Sequence, residues 1–317
     1  MINSCRQTKI PRGFSLIVDD SGHRKSAPPA ARKPRRKDGA RSGNFTDPVG
    51  RQYIGEIGKT DNGIVRLTTD LYDARKSLPL DIELYQHRNS LPQGKKDPAF
   101  LKKPELALNL IERTLSRGYH PGIVLIEAGS RNNTSFLLDL ENRQLKYLGG
   151  IAKNRKVTVN RPNNPGETIR VDDLAQNIPR EAFTEVQLNL NKPKTLSVAI
   201  IEVEISRLSG KRSVAIVMNQ PTFSEATEID YFLTNVSEEV ITPEWVVETY
   251  SQRNWVEVFY REAQGVVRTQ RISSPPQTQL NETFYLGNVC LYFYCLASTN
   301  WGMCVGDGHL NCRPCLN

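Results

Sequence analysis

Two short apolar runs, Phe14 to Val18 and Gly122 to Ile126, each stop abruptly on acid: Asp19 and Asp20 after the first, Glu127 after the second. Runs of this length, bounded so sharply, suit strands buried on both faces. Between them lies PELALNLIERTLSRG, with Pro104 in the first turn, Ala107, Leu110, Ile111, Thr114 and Leu115 along one face, and Gly118 as a stop. These are the marks of an amphipathic helix. Two buried strands joined through a crossover helix can lie side by side and parallel, and the carboxyl ends of such strands are where α/β sheets build their sites. Three acids at those ends therefore suggest a metal or acid–base site. The competing reading of Asp19-Asp20-Ser21-Gly22 is a plain turn held by an Asx-type bond.

The rest of the chain extends this mixed α/β pattern. Residues 51 to 72 read as a hairpin, with strands near Gln52 to Gly58 and Ile64 to Leu71 and a turn at Asp61-Asn62-Gly63, followed by a looser polar connection. A second helix is expected from about Thr134 to Arg143, capped by Asn133 or Thr134 and burying Phe136, Leu137 and Leu140, and LKYLGGIA supplies a further strand. From about Lys153 to Val236 the texture turns to short β-rich runs between Pro, Gly and Asn turns, which reads as an all-β insertion or subdomain. TPEWVVETYSQRNWVEVFYREAQ, residues 242–264, then reads as one long helix with Thr242 as cap, Pro243 at the first helical position and Glu244 in the first turn. Trp245, Val246, Tyr250, Val256 and Phe259 are its candidates for packing inward. Tyr250, Arg253 and Glu257 fall at i, i+3 and i+7, so phenol, guanidinium and carboxylate share one helical face. Taken alone, that face is better explained by an intrahelical Arg-to-Glu pair on a solvated surface.

Charge and cysteine are both unevenly placed. Residues 1–60 hold 13 Lys/Arg against 5 Asp/Glu, whereas the remainder holds 29 against 29, so the whole excess of +8 lies at the front. Its densest part, residues 27–41, sets Arg32, Lys33, Arg35, Arg36 and Lys37 among Pro and Ala. Such a segment has too little apolar surface to fold and is expected to be an exposed arm. Clustered cations release counterions on meeting phosphate, which makes nucleic acid the natural partner. Cys290, Cys295, Cys304, Cys312 and Cys315 crowd the last 28 residues with His309, but only Cys312 and Cys315 have zinc-knuckle spacing, so unpaired thiols are the simpler reading. No apolar run is long enough to span a bilayer and no secretory leader is evident, so a cytosolic protein is expected.

In order along the chain, IVDDSGHRKS, DPVGRQYIGEIGKTDNGIV, VLIEAGSRNNTSFLLDLENRQLKYLGGIAKNRKV and the Tyr250, Arg253, Glu257 helix resemble bacterial insertion-sequence transposases of the DDE type. The branch in question carries a Y-x2-R-x3-E-x6-K signature, and the resemblance covers roughly residues 14–264. It implies a ribonuclease-H-like α/β core, a mixed sheet with flanking helices interrupted by the β-rich insertion. Three carboxylates of that core would bind two Mg²⁺ ions, with Mn²⁺ as a substitute, for in-line attack on a DNA phosphodiester. Carried onto this chain, Asp19 is the first ligand with Asp20 a close alternative, Glu127 the second and Glu257 the third, while Arg253 and Tyr250 would contact DNA phosphate. The implied partners are double-stranded DNA bearing the element's terminal repeats, and a second copy on that DNA. The implied location is the bacterial cytoplasm, on the nucleoid.

The resemblance divides the chain into a short N-terminal remnant (1–13), the first part of the core (14–152, with the basic insertion at 27–41), the β-rich insertion (153–236), the closing helix (237–264) and a divergent Cys-rich tail (265–317), expected to be poorly ordered. Four departures accompany it. Glu127 and the following Ser130-Arg131 stand where the family has Asp and a pair such as Tyr-Gly; Gln264 replaces the signature lysine; the basic segment interrupts HRKS and GNF; and 13 residues precede the first strand, where a DNA-binding domain is usual. Together they suggest a truncated or decayed copy, and leave open a remnant that only binds DNA through its basic segments.

Overall fold

The computed structural model describes residues 13–24, 50–74, 77–88, 91–127, 133–161, 164–188 and 193–257. The basic segment 27–41, Ser130, Arg131, Gln264, the tail 265–317 and every cysteine lie outside the described residues. The described strands form one twelve-stranded mixed sheet. Its first part contains β1 (Ser15–Arg24), β2 (Gly50–Ile54), β3 (Lys59–Tyr72), β4 (Ser77–Tyr85), β5 (Ile123–Ile126) and β6 (Tyr147–Gly150). Its second part contains β7 (Lys156–Arg161), β8 (Asn164–Arg170), β9 (Thr184–Leu188), β10 (Lys194–Glu204), β11 (Lys211–Met218) and β12 (Ile229–Thr234). The order is β2-β3-β1-β5-β6-β12-β11-β10-β7-β8, with β4 also on β3 and β9 on β10.

As the two apolar runs require, β1 and β5 are neighbours and parallel, Ser15 to Val18 facing Ile123 to Ile126. The crossover between them is α1 (Lys103–Ser116), which buries Leu106, Ala107, Leu110, Ile111 and Thr114. Each of its large aliphatic side chains contributes about 2 kcal/mol by leaving water. Gly118 ends the helix at φ +81°, a conformation that costs a residue with a Cβ about 1 kcal/mol. Behind it α2 (Thr134–Asn142) starts where Asn133 accepts from the Phe136 amide, and buries Phe136, Leu137 and Leu140. Both helices cover the same face of the sheet. Glu141 of α2 is fixed to β11 by two bonds from Arg212, 2.8 and 2.5 Å, and to β6 by the Tyr147 hydroxyl, which donates at 2.9 Å. The opposite face is covered by α4 (Pro243–Ser251), whose Val246 and Val247 pack with Ile17, Leu125, Leu148 and Phe232.

Several expectations need correction. β1 does not stop at Val18 but continues to Arg24, because β3 offers it an antiparallel edge throughout, from Tyr72 opposite Ser15 to Gly63 opposite Arg24. Asp19 to Gly22 are therefore strand and not turn. The β2–β3 reversal falls at Gly55 to Gly58, where Gly58 takes a left-handed conformation (φ +61°), and Asp61-Asn62-Gly63 lie inside β3. The polar connection after Leu71 contains β4, whose Leu78 and Leu84 are buried despite Pro79. Residues 153–236 are not all-β, since α3 (Val171–Gln176) lies among them and buries Val171, Leu174 and Ala175. Nor are they set apart, because β12 pairs antiparallel with β6 and prolongs the sheet.

The closing helix is not continuous over 242–264. α4 starts where Thr242 caps the Trp245 amide and ends at Ser251. Gln252 and Arg253 form a turn, with Arg253 N to Tyr250 O at 3.0 Å, and residues 254–257 are helical again after it, entered through bonds such as Val256 N to Arg253 O at 3.1 Å. Two side chains account for the break: Ser251 Oγ donates to the Glu248 carbonyl at 2.7 Å, and Gln252 Oε1 accepts from Ser15 Oγ of β1 at 2.6 Å. Tightened segments of this kind recur as hinges.

Candidate active site

β1 passes from two neighbours to one at the position of its acids. Up to Val18 it pairs with both β3 and β5; β5 then ends at Ile126, and Asp19 and Asp20 pair only with Thr68 and Leu67 of β3. The Glu127 amide donates to the Val18 carbonyl at 3.4 Å, and the Glu127 carboxylate in turn accepts from the Asp20 amide at 3.4 Å. The acid after β5 thus occupies the notch left by the parallel ladder.

Alternation along a strand separates the two aspartates. Asp19 shares the α4 face with Ile17 and is buried, 4% exposed. Asp20 turns to the other face and pairs with Lys103, the first residue of α1. The sequence left Asp19 and Asp20 open as alternatives; they have different partners on different faces. A shallow depression beside Asp20 is lined by Asp19, Lys103 and Glu127 over a floor of Val18, Leu67, Ala107 and Ile126.

On the α4 face the acids meet at one guanidinium. Arg253 Nη2 lies 3.1 Å from Asp19 Oδ1 and 2.7 Å from Glu127 Oε1, and Nη1 lies 3.4 Å from Glu257 Oε1. Side chains at 19, 127, 253 and 257, scattered over most of the described chain, are so brought together. The intrahelical Arg253–Glu257 pair exists, but the shorter contacts are the long-range ones. The Tyr250 ring packs on Phe232 with centroids 4.3 Å apart, and its phenol remains within electrostatic reach of the Arg253 guanidinium.

Burial is the largest force on the protonation of Glu127. It raises the Glu127 carboxyl, the hydrogen bond and charge of Asp19 raise it further, Arg253 opposes them, and the result is pushed up to about 9. Burial alone would lower the Arg253 guanidinium, but the Asp19 and Glu127 charges more than offset it and hold it above its usual value. Four acids face two cations, Arg253 and Lys103, and even with Glu127 protonated the remaining three carboxylates leave an excess of negative charge that suits a cation. Among the described residues no group of three or more acids, His or Cys is arranged to hold an ion with its side chains as they stand. The guanidinium stands between the acids.

Lys103 was missed by sequence reasoning, although a signal existed. A cation in the first turn of a helix opposes the macrodipole, so Lys102-Lys103 ahead of Pro104 calls for acidic partners; these are Glu105 for Lys102 and Asp20 for Lys103. The pair Tyr72 and Trp255, stacked at 5.5 Å on the α4 side, was missed as well. No helix among the described residues is long and apolar enough to cross a membrane.

Residues 34–171 match the family described as "DDE superfamily endonuclease". The chain is 33% identical over 149 residues to the "Probable transposase for insertion sequence element IS701" of Microchaete diplosiphon, a match covering 47% of this chain and 34% of that protein. The chain thus spans about a third of the length of that relative. Among solved structures, the NurA nuclease from Sulfolobus solfataricus aligns over 73% of this chain and 71% of its own, with a TM-score of 0.33 and 10% identity.

Proposed function

We propose that this chain is a DDE-type transposase that cleaves and joins DNA phosphodiesters at the ends of a mobile element. The observation that carries the reading is the meeting of Asp19, Glu127 and Glu257, from three separate segments, on one half-buried guanidinium. The endonuclease family match, which includes Glu127, and the transposase relative support it. In this reading β4-β3-β1-β5-β6 is the ribonuclease-H-like core, with the acids at the centre of the sheet, and β7 to β12 are the insertion before the closing helix.

Carboxylate oxygens are the donors that hard divalent cations take, so the donor set fits Mg²⁺ or Mn²⁺. Asp19, Glu127 and Glu257 would hold the metal. When bound, it would supply activation of water or a DNA 3′-hydroxyl and stabilisation of the leaving oxygen. The chain's own groups do the rest. Glu127 holds a proton while the site is anionic and gives it up when a cation arrives. Lys103 and Arg253 offer charge to phosphate from opposite faces of β1. Asp20 orients Lys103. The basic residues Arg32, Lys33, Arg35, Arg36 and Lys37 bind the DNA backbone, and Tyr250 steadies the Arg253 turn against β12. Terminal repeats as the recognised DNA, a homodimer on that DNA and a place on the bacterial nucleoid belong to the same proposal.

The test is nicking of a supercoiled plasmid carrying the element's terminal repeats, with Mg²⁺ and with Mn²⁺. The wild type nicks it, Asp19→Asn loses at least about a hundredfold, and Asp20→Asn retains most of the activity. Metal-independent binding with no nicking at all would favour a remnant that only binds DNA.

A further inference from the structure

The position of Arg253 carries a consequence for how such a site would load its ion, and it rests on the metal-site reading above. A carboxylate as buried as Asp19 needs a counter-charge at all times, because leaving it unpaired costs several kcal/mol. In the structure that charge is Arg253, which contacts one oxygen of each of the three acids. A divalent cation would need the same oxygens, and two cations cannot share them at such range without strong repulsion. We propose that Arg253 is a positioning residue that stands in for the cation: it gathers Asp19, Glu127 and Glu257 in advance and is displaced when the ion binds, moving the helical residues 254–257 that follow it and bear Trp255.

Two features make the seat provisional. Arg253 Nε is buried with no partner among the described residues, so the guanidinium is incompletely satisfied where it sits. It is also carried on the two-residue turn between α4 and the helical residues 254–257, which lets it leave without unwinding α4. The turn is pinned at one end by the Ser15–Gln252 bond, and the helical residues that follow it carry Trp255, 38% exposed and stacked on Tyr72. Withdrawal of Arg253 from the acids therefore disturbs an aromatic stack. It also frees a cation beside the site at the moment a phosphate would be met.

Competition lowers the apparent affinity for the ion by the fraction of molecules in which the seat is open, so occupancy of nine in ten by Arg253 weakens it about tenfold. Mn²⁺ binding to the full chain, followed by the electron paramagnetic resonance of the free ion, reads this directly. Tryptophan fluorescence during Ca²⁺ titration reads the turn.

The wild type is expected to bind Mn²⁺, with Asp19→Asn abolishing the binding. Arg253→Gln and Arg253→Lys are both expected to bind it about tenfold tighter, since lysine keeps the charge but not the fork that joins three acids. Ca²⁺ is expected to change the fluorescence of the wild type, and Trp255→Phe to remove that change. Wild-type affinity in Arg253→Lys would overturn the displacement, because charge alone would then explain any gain in Arg253→Gln. A silent Trp255 in an ion-binding wild type would overturn it too. Absence of Mn²⁺ binding in the wild type and both variants would instead overturn the metal-site reading itself.

Discussion

Asp70 is a fully buried carboxyl on β3, opposite Ile17 of β1 and at the irregularity in the β3–β4 pairing. Its Oδ1 accepts from Ser77 Oγ at 2.6 Å, and its Oδ2 has no partner among the described residues. Burial pushes it from 3.8 up to about 7, against the smaller lowering by Ser77. The folded chain therefore keeps a proton that the unfolded chain releases between those two values. Stability due to this group is fully present below pH 3.8, falls as pH rises towards 7 and is level above. At about 1.4 kcal/mol for each tenfold in proton affinity, the loss is about 4 kcal/mol. Asp70→Asn has nearly the same shape, can still accept from Ser77 and cannot ionise. Urea unfolding of both proteins between pH 4 and pH 8 should give a difference that shifts in favour of the variant by about 4 kcal/mol as pH rises across that range. Taking the difference removes every other titrating group. A difference that stays flat, or that favours the wild type at high pH, would refute the argument from desolvation.

Shortening Glu127 draws its carboxylate back by about 1 Å from Arg253 and the Asp20 amide, so Glu127→Asp should lower Mg²⁺-dependent nicking, by up to about a hundredfold; a gain would show that the family's aspartate is the better fit even in this frame. Arg212→Met leaves Glu141 without its counter-charge between α2 and β11, at side-chain exposures of 9% and 15%, and should cost about 3 kcal/mol in chemical denaturation. The doubly changed Arg212→Met, Glu141→Gln protein should recover part of that loss. Lys103→Ala should weaken DNA binding evenly across sequences and reduce the salt slope by about 1, read from affinities at several salt concentrations. Its effect on stability should stay under about 1 kcal/mol, because the Lys103–Asp20 pair is about a quarter exposed.

What the sequence made legible was set by periodicity. The runs before Asp19 and Glu127, the face of α1 and the cap of α2 are local patterns and are found largely as read: α1 buries Leu106 in addition and leaves Leu115 half-buried, and of the two candidate caps for α2 it is Asn133 that serves. The length of β1 was hidden because its second half is polar and pairs with β3 alone, so no apolar run marks it. β4 was hidden by Pro79, though Leu78, Leu80, Ile82 and Leu84 alternate around it. The choice between Asp19 and Asp20 turned on which face α4 covers, a tertiary fact that no local pattern contains. The spacing of Arg253 and Glu257 was read correctly as a pair, but the break after Ser251 comes from Ser15, 237 positions from its partner Gln252, and such a bond leaves no trace in local sequence.

The claim at the centre is that Asp19, Glu127 and Glu257 form one divalent-metal site. Iron placed in that site answers it most directly: with Fe²⁺, ascorbate and peroxide, hydroxyl radicals cut the chain beside the bound ion, and the fragments are sized by mass. Cuts clustered near 19, 127 and 257, suppressed by excess Mg²⁺ and lost in Asp19→Asn, are the predicted result. Cuts that fall elsewhere, or that persist unchanged in Asp19→Asn, would contradict it.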